Sequence, residues 1–339
     1  MSNITVNGFE IGGQKTYIIA DIGSNHMQDI VLAKESIDAA AEAGANAIKF
    51  QSISLDKLYY KPSEKTMEFI KKLEFPEKWH GLLNEYCAKK NITFFSSPTY
   101  LESIDLLEEI NVPLYKLASA QIGTFPQLVE RVAQINKPTI FSTGLATIDE
   151  VKKVVDLFKK NGNTQFIILH CNSIYPTPAN RVNMQLIKKY KELSTNPVGF
   201  SDHTIGTHMS CLAVSMGAKV IEKHFTLDRN FDTPDSTSFA SNPNELKTLV
   251  KQIRDVECAI QIQTSREQIE SEEKEFKNSI RYKLVTSKSV AKGDILTENN
   301  IKFLRAFSGI DCVDFEFLVN KTFKNSLLSN TLVTYKDLL

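Results

Sequence analysis

Val198-Gly199-Phe200-Ser201-Asp202-His203 and Lys219-Val220-Ile221-Glu222-Lys223-His224 are two short apolar runs, each ending in a histidine. Both are strand-like, and the helical stretch Thr207–Met216 lies between them. Strand, helix and strand in that order build a parallel sheet, because parallel neighbours need a crossover connection. Two imidazoles at the tips of neighbouring parallel strands converge on one point. They read as a divalent-metal site at the mouth of a barrel, the usual seat of chemistry in a (β/α)8 enzyme. A plainer reading, strand-end histidines capped by backbone groups, stands beside it.

The same alternation runs from residue 15 to about 260. Strands are predicted at Thr16–Asp21, Ala47–Gln51, Thr93–Ser97, Leu114–Leu117, Thr139–Ser142, Phe166–His170, Val198–Ser201 and Val220–Lys223. Helices are predicted at Leu32–Ala43, Trp79–Lys89, Ile104–Ile110, Phe125–Ile135, Ile148–Lys159, Met184–Tyr190, Thr207–Met216 and Asn244–Gln263. Eight of each argue for a closed parallel barrel, the (β/α)8 or TIM barrel of the α/β class. The leading Ile4–Ile11 segment, with Asn7-Gly8 at its centre, reads as a β-hairpin over the barrel floor. Ser265–Asn278 is dense in charge and reads as a solvated helical linker. Short β-like runs return at Lys283–Thr286, Ile301–Leu304 and Leu332–Thr334, around a turn at Lys292-Gly293-Asp294. The expected division is therefore a barrel over 1–262, a linker over 263–282 and a small β-rich domain over 283–339.

At 339 residues the chain is long enough for one barrel of about 250 residues and a small domain. Lys+Arg and Asp+Glu are both 40, so no charge excess points to nucleic acid or an acidic membrane. No apolar run approaches the roughly 18 residues of a membrane span, and the polar N-terminus has no signal-peptide core. Cys87, Cys171, Cys211, Cys258 and Cys312 are odd in number and lack CxxC spacing, which suits a reduced, cytoplasmic compartment. All five are taken as packing residues.

The predicted strand tips carry a coherent polar set: Asp21, Lys49, Gln51, Ser97, Lys116, Ser119, Ser142, His170, Asn172, Ser173, Tyr175, Ser201, Asp202, His203, Lys223 and His224. A lysine inside an apolar strand is expensive to bury, so Lys49 and Lys116 need anionic partners. With the serines they match a phosphate and a carboxylate on one small ligand. Alternatively, each lysine pairs with a nearby Asp or Glu as a structural ion pair.

Those residues lie in segments that resemble the sialic acid synthase (NeuB) family of phosphoenolpyruvate-dependent nonulosonic acid synthases. The segments are IIADIGSNH (18–26), AIKFQS (47–52), FFSSP (94–98), YKLASAQ (115–121), FSTGLAT (141–147), LHCNSIYPTP (169–178), FSDHTIG (200–206) and VIEKHFTLD (220–228), in family order. SVAKGDILTENNIKFLRAFSGI (289–310) resembles the family's antifreeze-like (SAF) domain. The resemblance implies a metal-dependent condensation of phosphoenolpyruvate with an N-acylated open-chain hexose, releasing phosphate by C–O cleavage, in a domain-swapped homodimer. It implies manganese or magnesium held by His203 and His224. Phosphoenolpyruvate would lie on Lys49, Ser97, Lys116, Ser119, Ser142 and Ser201, with Asn172 and Ser173 nearby. The sugar would meet Gln51, Tyr175 and Asp235, and Arg305 would reach the acyl group across the dimer. Asp21, Lys49, Lys116, Gln121 and Asp235 are the expected catalytic set.

The chain departs from the family's usual glutamates at Asp21 and Gln121, and after Asn25-His26 and Arg305. All these changes border the sugar side, so the acceptor is expected to be N-acetylmannosamine or a 2,4-diacetamido-tetradeoxyhexose. Asp202, beside His203, reads either as an orienter of that ring or as a strand-end cap. Two rival readings remain: an octulosonate- or heptulosonate-type synthase using a phosphorylated aldose, and a non-catalytic sugar-binding homologue.

Overall fold

The computed structural model describes residues 2–261 and 267–339. The expected end of the helix at 262–263 and the first linker residues, to 266, lie outside the described residues. The chain divides into two compact units, 1–262 and 263–339.

The first unit opens with β1 (Ile4–Val6) and β2 (Phe9–Ile11), an antiparallel hairpin. Its turn needs positive φ at both central positions, and Asn7 (φ 45°) and Gly8 (φ 78°) supply it. Eight parallel strands follow: β3 (Tyr17–Gly23), β4 (Ala47–Ser52), β5 (Thr93–Pro98), β6 (Tyr115–Leu117), β7 (Thr139–Ser142), β8 (Phe166–Cys171), β9 (Val198–Asp202) and β10 (Val220–His224). They are hydrogen-bonded in the order β5-β4-β3-β10-β9-β8-β7-β6, and the two end strands, β5 and β6, lie side by side. This is the expected (β/α)8 barrel, each strand within two residues of its predicted bounds. Unpredicted are two short helices after β4, Leu55–Leu58 and Glu64–Lys71, and one turn of helix after β6, Ser119–Ile122.

Strand side chains alternate between two cores. Tyr17, Ile19, Ala47, Phe95, Leu114, Ile140, Ile167, Leu169 and Val220 point inward and pack with Ile4, Val6 and Ile11, so the hairpin plugs the barrel floor. Their sequence neighbours, such as Ile18, Ile48, Phe94, Phe141 and Phe200, point outward against the helices. Both faces of each strand are therefore apolar near its start, which produces the continuous apolar runs seen in the sequence. Gly199 is the one inward position of β9 below Ser201. A Cβ there would lie 2.4 Å from the Val220 carbonyl oxygen and 2.5 Å from Leu169 Cδ2.

In the second unit β11 (Tyr282–Thr286) pairs antiparallel with β12 (Ile301–Arg305). Leu284, Val290, Leu296, Ile301, Ile310, Phe323 and Val333 form its core. The predicted Leu332–Thr334 strand is reduced to a single bridge, Val285 to Leu332. The charged segment before it forms the helix Ser271–Ser279, which buries no side chain. No described helix is long and apolar enough to cross a membrane.

Gly199→Ala should destabilise the barrel by about 1–3 kcal/mol, because the methyl group meets backbone and a packed leucine rather than space. Chemical denaturation of the variant checks this; an unchanged midpoint would mean the strands separate freely there.

Candidate active site

Above the apolar floor the inward-pointing positions turn polar. Asp21, Lys49, Gln51, Ser142, Cys171, Ser201, Glu222 and His224 continue the inward alternation of their strands. They line a cavity of about 410 Å³ at the C-terminal mouth, with Lys116, Ser119, Ser173, Tyr175 and His203. That volume suits a small metabolite.

Sheet register sets the neighbours. Asp21 lies opposite His224 on one side and Lys49 on the other, and Glu222 lies opposite Ser201. Lys49 Nζ is 2.7 Å from Asp21 Oδ2 and 3.8 Å from Glu222 Oε2. Lys116 Nζ is 3.3 Å from Glu222 Oε1 and donates to Ser142 Oγ at 2.8 Å. Ser201 Oγ donates to Glu222 Oε1, also at 2.8 Å. All four charged groups are buried. Burial opposes ionisation, but Lys49, His224 and Lys116 hold the Asp21 carboxyl below the ordinary range, and Lys116 and Lys49 do the same for Glu222. For Lys49, too, Asp21 and Glu222 outweigh burial and keep the ammonium charged well beyond its ordinary value. At Lys116 burial wins, with the Lys49 charge acting in the same sense, and its value is lowered.

The two lysines thus have protein counter-charges, the alternative left open by the sequence. Both ion pairs nevertheless stand in the cavity wall. Glu222 was missed as a site residue, although the β10 alternation Val220, Glu222, His224 places it inward.

The two histidines meet above this cluster with ring centroids 5.2 Å apart. His203 Nδ1 lies 2.7 Å from the Asn172 carbonyl oxygen, which only accepts, so Nδ1 donates there and Nε2 is left to face another partner. His224 Nδ1 is buried without a hydrogen-bond partner, 3.6 Å from Asp235 Oδ1, and its Nε2 is 3.5 Å from Asp21 Oδ2. Gly23 makes room for that arrangement: a Cβ there would lie 2.3 Å from Asp235 Oδ2. Two imidazoles with free ring nitrogens beside two carboxylates suit a divalent cation. Among the described residues, no three His, Cys, Asp or Glu side chains are clustered to hold one.

Other expected site residues sit less directly. Ser97 is fully buried and its hydroxyl has no partner, while Gln121 is buried with an unpaired Oε1; neither lines the cavity. Asn172 turns its amide to the Arg181 carbonyl and offers the site only its own carbonyl. Arg305 lies in the second unit, exposed on β12 with its guanidinium over the Tyr282 ring. Cys171, taken as a packing residue, lines the cavity 3.8 Å from His203 Nδ1.

Three strand-end residues face the helices instead. His170 stacks on Phe200, and Lys223 Nζ lies 3.3 Å from Asp202 Oδ2. Asp202 also accepts from Ser210 Oγ and the Thr204 amide, so it braces the backbone after β9 rather than orienting the His203 ring. His26 is likewise structural: it packs against Phe75 and Trp79 and accepts from the Gln28 amide.

A parallel barrel with buried lysines, hydroxyls and paired imidazoles at its C-terminal mouth has the form of an enzyme active site. The NeuB family model matches residues 36–265. N,N'-diacetyllegionaminic acid synthase of Campylobacter jejuni is 37% identical over 91% of this chain and 96% of its own length. Pseudaminic acid synthase of Helicobacter pylori is 32% identical over 96% and 98%. The crystal structure of an N-acetylneuraminic acid synthetase from Leptospira borgpetersenii, in complex with citrate, superposes with a TM-score of 0.74 at 36% identity, covering 82% of this chain and 97% of that one. The chain belongs to the NeuB family.

Burial lowers the His26 value to about 4 from 6.5, against a smaller raising effect of Asp235. Between those two values the unfolded chain takes up a proton that the folded chain refuses, so stability falls as pH drops through that window. The loss from this group is about 3 kcal/mol. Denaturation of wild type and His26→Gln at pH 7 and pH 4.5 measures it; equal pH slopes would remove the assignment.

Proposed function

We propose that the chain condenses phosphoenolpyruvate with an N-acylated open-chain hexose, giving a nonulosonic acid and phosphate. One observation carries this reading: two buried lysines and serine hydroxyls line the same cavity as two imidazoles, with Asp21 between Lys49 and His224. The lysines and hydroxyls suit a phosphate and a carboxylate borne on one carbon, and the imidazole pair suits the aldehyde of the acceptor.

In this mechanism C3 of phosphoenolpyruvate attacks the aldehyde carbon, water adds at C2, and phosphate leaves with its bridging oxygen. Lys49, Lys116, Ser119 and Ser142 hold the anionic groups and keep them oriented, with Ser173 beside them, Ser97 buried behind them, and Ser201 bordering them with its proton on Glu222 Oε1. Asp21 fixes Lys49 and His224. Gln51, Tyr175 and Asp235 border the acceptor, and Gln121 and Asn172 shape that side from behind. A divalent cation, manganese or magnesium, would be held by His203 and His224 and would supply Lewis-acid chemistry at the aldehyde end.

The legionaminic and pseudaminic names of two relatives favour a 2,4-diacetamido-tetradeoxyhexose as acceptor, with N-acetylmannosamine as the alternative. A phosphorylated aldose would want an arginine cluster, and among the described residues no arginine lines the cavity. The resemblance of the second unit to a SAF domain supports a domain-swapped homodimer in which exposed Arg305 meets the acyl group, and the unpaired cysteines support a cytoplasmic setting.

Incubation with phosphoenolpyruvate, manganese and a panel of N-acyl hexoses should release phosphate with at least one acceptor. Release only with phosphorylated aldoses would replace the acceptor assignment, and none at all would leave a binding protein. His203→Ala and His224→Ala should each lower turnover by about 100-fold or more and abolish manganese binding in calorimetry. Full activity in either variant would sink the metal assignment.

A further inference from the structure

We propose that Glu222 is a resident counter-anion: a positioning residue that pairs the two substrate lysines when the site is empty and lowers the affinity of the filled site for phosphate. The inference rests on the proposed phosphoenolpyruvate reading and adds a role to a residue which that mechanism does not use.

The geometry is asymmetric. Glu222 Oε1 is held by Ser201 Oγ at 2.8 Å and stands 3.3 Å from Lys116 Nζ. Oε2 makes no hydrogen bond, although it is buried and only 3.8 Å from Lys49 Nζ. Lys49 has a second, closer carboxylate in Asp21, at 2.7 Å. Among the described residues Lys116 has no other acidic partner within ion-pair distance, and it also donates to the Ser142 hydroxyl. Glu222 is therefore the group that neutralises Lys116 in the absence of ligand, and it does so from a strand, with Oε1 held by Ser201.

Two ammoniums buried side by side repel each other, and a buried charge without a partner is strongly unfavourable. A carboxylate between them removes both problems in the empty protein. When a phosphate arrives, the lysines gain new acceptors, but Ser201 and the β10 backbone keep the Glu222 charge in place. Its repulsion then acts on every anion in the site, substrate and product alike. Phosphate leaves more readily than it would from two unopposed lysines.

Titration calorimetry of the full-length protein, without metal or acceptor, tests this with inorganic phosphate and with phosphoenolpyruvate. Glu222→Gln keeps the shape and a carbonyl acceptor for Ser201 but removes the charge. Its Kd for phosphate should fall by about tenfold or more, and phosphate should raise its Tm more than it raises that of the wild type. Glu222→Asp draws the charge back by one methylene and should bind phosphate with intermediate affinity. A purely structural role would lower Tm in both variants and leave phosphate affinity unchanged, and that result overturns the proposal, as does weaker binding by Glu222→Gln. If Glu222→Gln does not fold, the aspartate variant decides alone: no tightening of at least twofold rejects the inference. A wild type that neither binds phosphoenolpyruvate nor releases phosphate with any acceptor would instead reject the proposed function.

Discussion

Everything at the mouth of this barrel depends on two lysine side chains being given counter-charges away from water. Moving such a group out of water costs several kcal/mol even after relaxation. The structure meets that cost with carboxylates placed by sheet register, not by flexible loops. His224, Asp21 and Lys49 stand in one row across β10, β3 and β4, and Glu222 and Ser201 stand in the row below across β10 and β9. Lys116 reaches the same carboxylate from β6, so the curvature of the sheet is part of the site. A slip of one residue in any of these strands would send its charged groups toward the helices.

The floor below supports this arrangement in a different way. Ile4, Val6 and Ile11 fill the barrel bottom together with the first inward residues of the strands. The polar groups therefore rest on a packed apolar layer, and the cavity opens in one direction only, toward the C-terminal mouth. Gly199 and Gly23 are two of the points at which a backbone must approach a neighbour closely, one below the charged cluster and one beside the imidazoles.

Much of the barrel was legible because each strand is a short apolar run of its own and each connection is long enough for a helix. The two helices at Leu55–Leu58 and Glu64–Lys71 were not, since they are short and sit in a stretch with no sustained apolar period. Among site residues, the histidines and lysines stood out because such groups are rare inside apolar strands. Glu222 stood in the same run but was passed over beside the more conspicuous His224. His170, Asp202 and Lys223 look equally functional as letters at strand ends, yet they lie on the other parity and serve the layer between sheet and helices. Ser97 keeps the inward parity of β5 but is buried, Gln121 is buried too, and the Asn172 amide turns to the Arg181 carbonyl, so none of the three lines the cavity.

By itself the sequence determined the alternation of eight strands and eight helices, the family, and the chemical inventory at the strand tips. Those follow from local periodicity and from ordered motifs, which need no knowledge of long-range contacts. Only the tertiary structure decided which of those side chains share a space, because that depends on register and on the closure of the sheet. It also decided that the substrate lysines already have partners, and that one of those partners, Glu222, belongs to the site.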